Sequence, residues 1–412
     1  MSSLAERPRV AAPLEPEVLF KEARRRRRRR RIGGAVALLG LVAGLLTTLA
    51  IRESSGSSPR EGSALRQIPV PAAPLGPPRI AWVDYAGGLH VGDLTSGRQR
   101  TVAQAGADPT TPLIAVGSRI FWTVLSPTGR QVPVGAVFSY DTATGRTRLV
   151  AAGLQVFPTA DRSALYVESN DTRMVTEYAL DGGARASLRL PSGWFLSDPS
   201  LAGDPTPVIA GGFLVQSARQ QLGNAPPTLA IWYPKSGEVR RLGSVWKVIG
   251  TYTSPGARSS LIAWAPGECE LGPDCALRVT ETSTMRSHTY RNPLGFGFDW
   301  GGGFSPDGRE LAVFPQSNSG DVNPATRLAL IDLPSETLHL VTGVDIQIGE
   351  SLAWAQWLPG GGRLIVGGQS DPFGTSGGAN HYLVDSATGH ARTFRFLPHR
   401  NLDVNYSAVV VQ

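Results

Sequence analysis

Cys269 and Cys275 are the only two thiols of the 412-residue chain, and six positions separate them in APGECELGPDCALRV. The stretch lies between two strand patterns, so a bridge there would staple a hairpin tip. Loop-closure entropy values such a bridge at roughly 2 kcal/mol. Metal or redox chemistry is the alternative, but two thiols with no histidine nearby make a poor metal site. Gly374-Thr375-Ser376-Gly377-Gly378 matches G-x-S-x-G, which would make Ser376 a nucleophile. That motif needs a strand before it and a helix after it. Here it sits in SDPFGTSGGAN, a Gly-rich loop between strand patterns, so Ser376 reads as a loop residue.

The remaining candidates are scattered. His90, His288, His339, His381, His390 and His399 show no HxH or HExxH spacing, so strand packing and surface roles are expected before metal ligation. Glu268, Glu270 and Asp274 form an acidic tip beside the cysteines, and SNSGDVNPAT (317–326) offers oxygen ligands without the D-x-D-x-D-G pattern of a calcium loop. Solvated loops are the expectation for both. Trp82, Trp122, Trp232, Trp264 and Trp354 fall inside strand patterns and read as packing. Trp194, Trp246, Trp300 and Trp357 fall nearer strand ends, where aromatic rings line sugar or peptide surfaces as well as cores. No catalytic residue, no cofactor and no metal site is expected from these patterns.

The elements that would position these residues are strands. FSPDGRELAVF (304–314) shows how. Pro306 presets φ at the first central turn position after Ser305, Asp307 suits the second, and Gly308 tolerates φ > 0. Leu311 and Val313 then point to one face, Ala312 and Phe314 to the other, so both faces of this strand are apolar. A turn followed by an apolar strand recurs at FPTADRSALYV (157–167), TSPGARSSLIAW (253–264) and WLPGGGRLIVG (357–367), with shorter forms VGSRIFWTV (116–124) and IAGGFLVQ (209–216). Strands starting at Ile80, Ile120, Ala164, Phe213, Leu261, Leu311 and Leu364 follow one another every 40 to 53 residues.

A second register runs in step with the first. LHVGDLTSGR (89–98), VFSYDTATGR (137–146), VTEYALDGGAR (175–185), LAIWYPKSGEVR (229–240), LRVTETSTMR (277–286), LALIDLPSET (328–337) and HYLVDSATGH (381–390) each end a strand in a polar turn, and a short fourth strand follows. Seven units of four strands at this period predict an all-β chain, a seven-bladed β-propeller over residues 79–412. The first unit lacks its opening strand, and VNYSAVVVQ (404–412) is a strand without a unit. Pairing the two would close the ring and remove open edges.

Charge and hydropathy organise the rest. Residues 1–51 hold eleven basic and four acidic side chains, which is the whole net charge of +7; residues 52–412 hold 29 of each. The large domain therefore has no overall preference for nucleic acid. Residues 32–51, IGGAVALLGLVAGLLTTLAI, are uncharged and long enough as a helix to span about 30 Å of hydrocarbon. Eight arginines precede them, placing residues 1–31 in the cytoplasm and the rest outside. A cleaved signal peptide is the competing reading, with a shorter apolar core than this one. The arginine run reads as a topology determinant, with anionic lipid or RNA as other partners. Gly40 and Gly44 match the GxxxG pattern of helix pairing, which would make a homodimer through the membrane. Residues 52–78, rich in Ser, Gly and Pro, form a linker spanning on the order of 30 Å.

With FSPDGRELAVF and its looser copies in view, the chain resembles the TolB-like and WD40-like propeller repeat proteins, where a Ser-Pro-Asp-Gly turn precedes the second strand of each blade. Together with the anchor it resembles uncharacterised actinobacterial envelope proteins. The resemblance implies an extracytoplasmic propeller. TolB is soluble in the periplasm and works with the Tol–Pal system, a partnership that an anchored chain does not inherit. A propeller hosts many activities. Three are weighed here: a non-catalytic protein-binding or scaffold module of the cell envelope; a cell-wall enzyme or module that cleaves or binds glycan, with carboxylates converging from several blades; and a receptor-like sensor signalling through a partner.

Overall fold

The computed structural model describes residues 79–83, 88–94, 96–104, 113–126, 134–197, 206–217, 226–254, 258–267, 275–317, 327–344, 354–369, 379–393 and 408–411. The proposed anchor and linker, Cys269, the acidic tip, Ser376 and His399 lie outside them. Among the described residues no helix is long and apolar enough to cross a membrane.

The described chain is all β. Strand β1 (Arg79–Val83), β2 (Gly88–Asp93) and β3 (Gln99–Gln104) form a meander. Next come β4 (Ile114–Val116) to β7 (Arg146–Ala152), with β5 at Arg119–Ser126 and β6 at Val134–Asp141. A third meander runs through β8 (Gln155–Pro158), β9 (Ala164–Glu168), β10 (Met174–Ala179) and β11 (Ala184–Arg189). Strands β12 (Trp194–Leu196), β13 (Val208–Ile209), β14 (Gly212–Ser217), β15 (Thr228–Tyr233), β16 (Glu238–Thr253), β17 (Ser260–Pro266), β18 (Ala276–Glu281) and β19 (Ser287–Arg291) belong to one continuous sheet. Strands β20 (Gly295–Phe304), β21 (Glu310–Ser317), β22 (Ala329–Asp332) and β23 (Thr337–Leu340) make another. The last comprises β24 (Trp354–Trp357), β25 (Arg363–Gln369), β26 (Ala379–Asp385) and β27 (His390–Thr393). Strand β28 (Ala408–Val411) pairs antiparallel with β1, Val411 opposite Arg79, and so supplies the first meander with its missing strand.

The long sheet contains a junction. The first half of β16 pairs with β15, Tyr233 opposite Glu238, and the second half pairs with β17, Thr253 opposite Ser260. Gly243, at φ 146°, lies at the bulge where one role gives way to the other. One strand is thus the last of its meander and the first of the next. Counted by pairing, the described residues form seven four-stranded groups, and among them no sheet closes on itself.

Period-two alternation explains how the groups stack. On β21, Leu311 and Val313 belong to the cluster shared with the fifth group; Ala312 and Phe314 belong to the cluster shared with the seventh. All four are fully buried. On β5, Ile120 and Trp122 pack toward the first group and Phe121 toward the third. Strands β5, β9, β14, β17 and β21 are apolar on both faces because each face meets a neighbouring sheet. First strands approach one another: β28 lies against β4 and β24, β4 against β8, and β20 against both β16 and β24.

Tryptophan fills the same place in three groups. Trp82, Trp122 and Trp264, all fully buried on second strands, lie opposite His90, Phe138 and Arg278. Trp82 stacks on His90 at 5.2 Å, Trp122 on Phe138 at 6.0 Å, and the Arg278 guanidinium covers Trp264 at 5.3 Å. Trp357 ends β24 and packs inward. It is 8% exposed on β24, and its Nε1 donates to the Gly303 carbonyl at 2.9 Å. An apolar cluster held it inside, and the ring tethers two groups.

Candidate functional site

The turns come first, because they set which polar groups face solvent. Between β20 and β21 the Ser305 hydroxyl donates to Asp307 Oδ1 at 2.6 Å, and Asp307 accepts the Arg309 N–H at 3.1 Å. Ser305 Oγ accepts the Glu310 N–H, and the Gly308 N–H donates to the Ser305 carbonyl. The same wiring recurs at Thr159–Ala164, with Asp161 in place of Asp307, and at Ser169–Met174, with Asp171. Residue four of each turn is left-handed: Gly308 at φ 70°, Arg162 at 57°, Thr172 at 56°. The repeat motif Ser305, Pro306, Asp307 and Gly308 is therefore a hydrogen-bonded fold device.

Hairpins between third and fourth strands use a second device. Asp93, Asp141 and Asp385 each end a third strand and accept N–H groups of the following turn. The chain leaves with a left-handed residue at Gly97, Gly145, Gly237, Met285, Glu336 and Gly389.

These roles fix the state of the carboxylates. The Ser305 hydroxyl, foremost, and the Arg309 N–H hold Asp307 below the usual carboxylate range. Asp161 is lowered by the Thr159 hydroxyl and the Ser163 N–H, and Asp171 by the Ser169 hydroxyl. At Asp141 burial opposes the charge, but the Ala143 and Thr144 N–H groups and Arg119 outweigh it. Glu281 is lowered by the Thr284 hydroxyl, Asp385 by the Thr388 N–H, and Glu238 by Arg240. These seven carboxylates of the described residues shift down. A general acid at neutral pH requires the opposite shift.

One groove opens among these turns, between the second and third groups. It encloses about 470 Å³ and is lined by Ser118, Arg119, Ser163, Asp181 and Arg185 with the backbone around Gly117 and Leu180. Arg119 begins β5 opposite Asp141, 3.7 Å from its carboxylate, and its Nη1 donates to the Leu180 carbonyl of the next group. Arg148 donates to the Asp181 carbonyl at 3.2 Å, and Arg185 pairs with Glu177 at 3.2 Å. Ser118 Oγ donates to Asp141, and Ser163 Oγ to Asp161. The groove offers fixed guanidinium and hydroxyl groups around a hairpin backbone. That inventory is polar, and its two hydroxyls already donate to Asp141 and Asp161.

The histidines are separate. His90 hydrogen-bonds Thr101, His288 meets Glu336 at 3.2 Å, His339 meets Thr337, and His381 is buried beside Trp354. Among the described residues no group of three His, Cys, Asp or Glu is placed to hold a metal. Cys275 is 4% exposed and packs in the cluster between the fifth and sixth groups. Sequence reasoning missed the groove. Its signal, an arginine beginning the second strand opposite the aspartate ending the third, is visible only once the register is known.

No protein-family model matches the chain, and no curated protein matches it. Solved structures do. The periplasmic gluconolactonase PpgL of Pseudomonas aeruginosa aligns over 81% of this chain and 99% of its own, with 14% identity and a TM-score of 0.51. TolB of Acinetobacter baumannii aligns over 81% of this chain and 67% of its own, with 13% identity and a TM-score of 0.43, too loose to argue from. At such identity a likeness carries the fold and none of the chemistry. The fold is accordingly an all-β, propeller-type array of four-stranded sheets.

Proposed function

We propose that this chain is a single-pass membrane protein, anchored by residues 32–51 with residues 1–31 cytoplasmic, whose extracytoplasmic seven-bladed propeller is a non-catalytic protein-binding or scaffold module of the cell envelope. The observation that carries the non-catalytic reading is the state of the carboxylates. Seven carboxylates among the described residues are committed to a turn or an ion pair and held ionised. Support for the closed ring comes from β28, which pairs with β1 and touches the first strands on either side. The groove at Arg119 and Arg185 is a polar recess that such a module would present to a partner.

Two further features belong to this reading. A structural bridge between Cys269 and Cys275 belongs to it, supported by the absence of a free cysteine among the described residues and by the chain having no third cysteine. Gly40 and Gly44 would bring two anchors together through closely packed helices.

Affinity purification of the tagged full-length chain tests the function. One envelope protein should co-purify in fixed ratio, and isolated cell-wall glycans should remain intact on incubation with the preparation. Release of sugar fragments by the purified chain would replace the scaffold with an enzyme.

A further inference from the structure

Asn170, Asp171 and Thr172 read N-x-T, the acceptor pattern for asparagine-linked sugar, with Asp171 in the middle place where only proline is barred. Asn170 takes the second position of the turn from Ser169 to Met174, which joins β9 to β10 in the third group. Asp171 and Arg173 beside it are exposed. Asn405-Tyr406-Ser407 has the same form and lies outside the described residues.

The two polar atoms of this side chain are used differently. The Gly135 N–H of β6, in the neighbouring second group, donates to Asn170 Oδ1 at 2.8 Å. Gly135 is fixed in turn, its carbonyl accepting the Gly153 N–H at 2.9 Å. That tie needs only an oxygen, which an aspartate would supply equally well. The amide nitrogen Nδ2 makes no hydrogen bond with a described residue and is not shut away from solvent. An N-glycosyl amide still carries its carbonyl oxygen, so a sugar on Nδ2 leaves the tie to Gly135 intact.

We propose, on the extracytoplasmic reading above, that Asn170 is an N-glycosylation acceptor, modified by an oligosaccharide from a lipid pyrophosphate donor. Nδ2 bonds to the anomeric carbon as the sugar–phosphate C–O bond breaks. The lipid pyrophosphate leaves with that electron pair, and a proton of Nδ2 passes to a base of the transferase. The acceptor reaction also needs the Thr172 hydroxyl. In the folded turn that hydroxyl donates to the Asp171 carbonyl at 2.8 Å. Transfer accordingly falls on the exported chain before this turn closes, and the closed turn leaves Nδ2 accessible.

The test uses the tagged full-length chain purified from membranes of the cells that make it. Trypsin releases residues 163–173, SALYVESNDTR, in which Asn170 is the one asparagine. This peptide is expected to be heavier than its sequence by whole sugar residues, and fragmentation should place them on Asn170. Asn170→Asp keeps an acceptor for Gly135 and should lose the sugar entirely. Thr172→Ala should lose it with Asn170 still in place, and Thr172→Ser should keep it. Melting curves of the variants check folding. A membrane-impermeant amine reagent on spheroplasts reads the topology separately, at exposed Lys235. An unmodified peptide, sugar located elsewhere in it, or sugar that persists in Thr172→Ala would overturn the proposal. If Lys235 is labelled in that case, the extracytoplasmic reading stands without it; if Lys235 is protected until lysis, both fall.

Discussion

Glu310 lies directly opposite Asp332 across β21 and β22. The same register position pairs Arg79 with Asp93, Arg119 with Asp141 and Arg363 with Asp385. Three groups set an arginine against the aspartate that ends the third strand; the sixth sets a second carboxylate there. Like charges directly opposite destabilise a sheet. Glu310→Arg should therefore raise stability by about 0.5 kcal/mol, a half-exposed pair being screened. Urea unfolding of the two proteins reads this directly, and a lowered midpoint would contradict it.

Gly308 is under steric pressure of a different kind. Its φ is 70°, and a Cβ there would come within 2.1 Å of Tyr252 Cε1. Gly308→Ala should cost about 2 kcal/mol, combining the left-handed backbone and the overlap. Tyr252→Ala in the same chain should return the steric part, so the double-mutant cycle should show coupling between the two sites. Strict additivity would show that the ring does not press on the turn.

Acid sensitivity follows from the turn aspartates. Asp141, Asp161 and Asp307 have folded pKa values below their unfolded ones. Their contribution is fully present above the unfolded value of about 3.9 and is lost as pH falls through the folded values. Stability should be flat in this respect from neutral pH down to about 5 and decline below about 4. Asp307→Asn should be less stable at neutral pH and show a shallower acid limb. An equally steep limb would remove Asp307 from the account.

The proposed Cys269–Cys275 bridge predicts that the native chain takes up no alkylating reagent under denaturing, non-reducing conditions and two equivalents after reduction. Cys275→Ala should lose about 2 kcal/mol from the short closed loop, with a further cost from the cavity at this buried position. Two labels before reduction would refute the bridge.

Much of the fold could be read from residue order. The expected second-strand starts at Ile80, Ile120, Ala164, Phe213, Leu261, Leu311 and Leu364 fall at the first or second residue of β1, β5, β9, β14, β17, β21 and β25. They were legible because a strand buried on both faces reads as an unbroken apolar run behind a turn. The 16-residue β16 was not, because the handover near Gly243 happens without a turn signal. The groove was hidden for another reason. Arg119 reaches Leu180 across 61 positions, a distance at which spacing says nothing.

In-cell cross-linking of the tagged full-length protein, read by mass spectrometry, addresses the central claim most directly. The account predicts one envelope protein in stoichiometric yield, linked to propeller residues. Absence of any protein partner across linkers of varied length and chemistry would contradict the scaffold reading and direct the search to glycan.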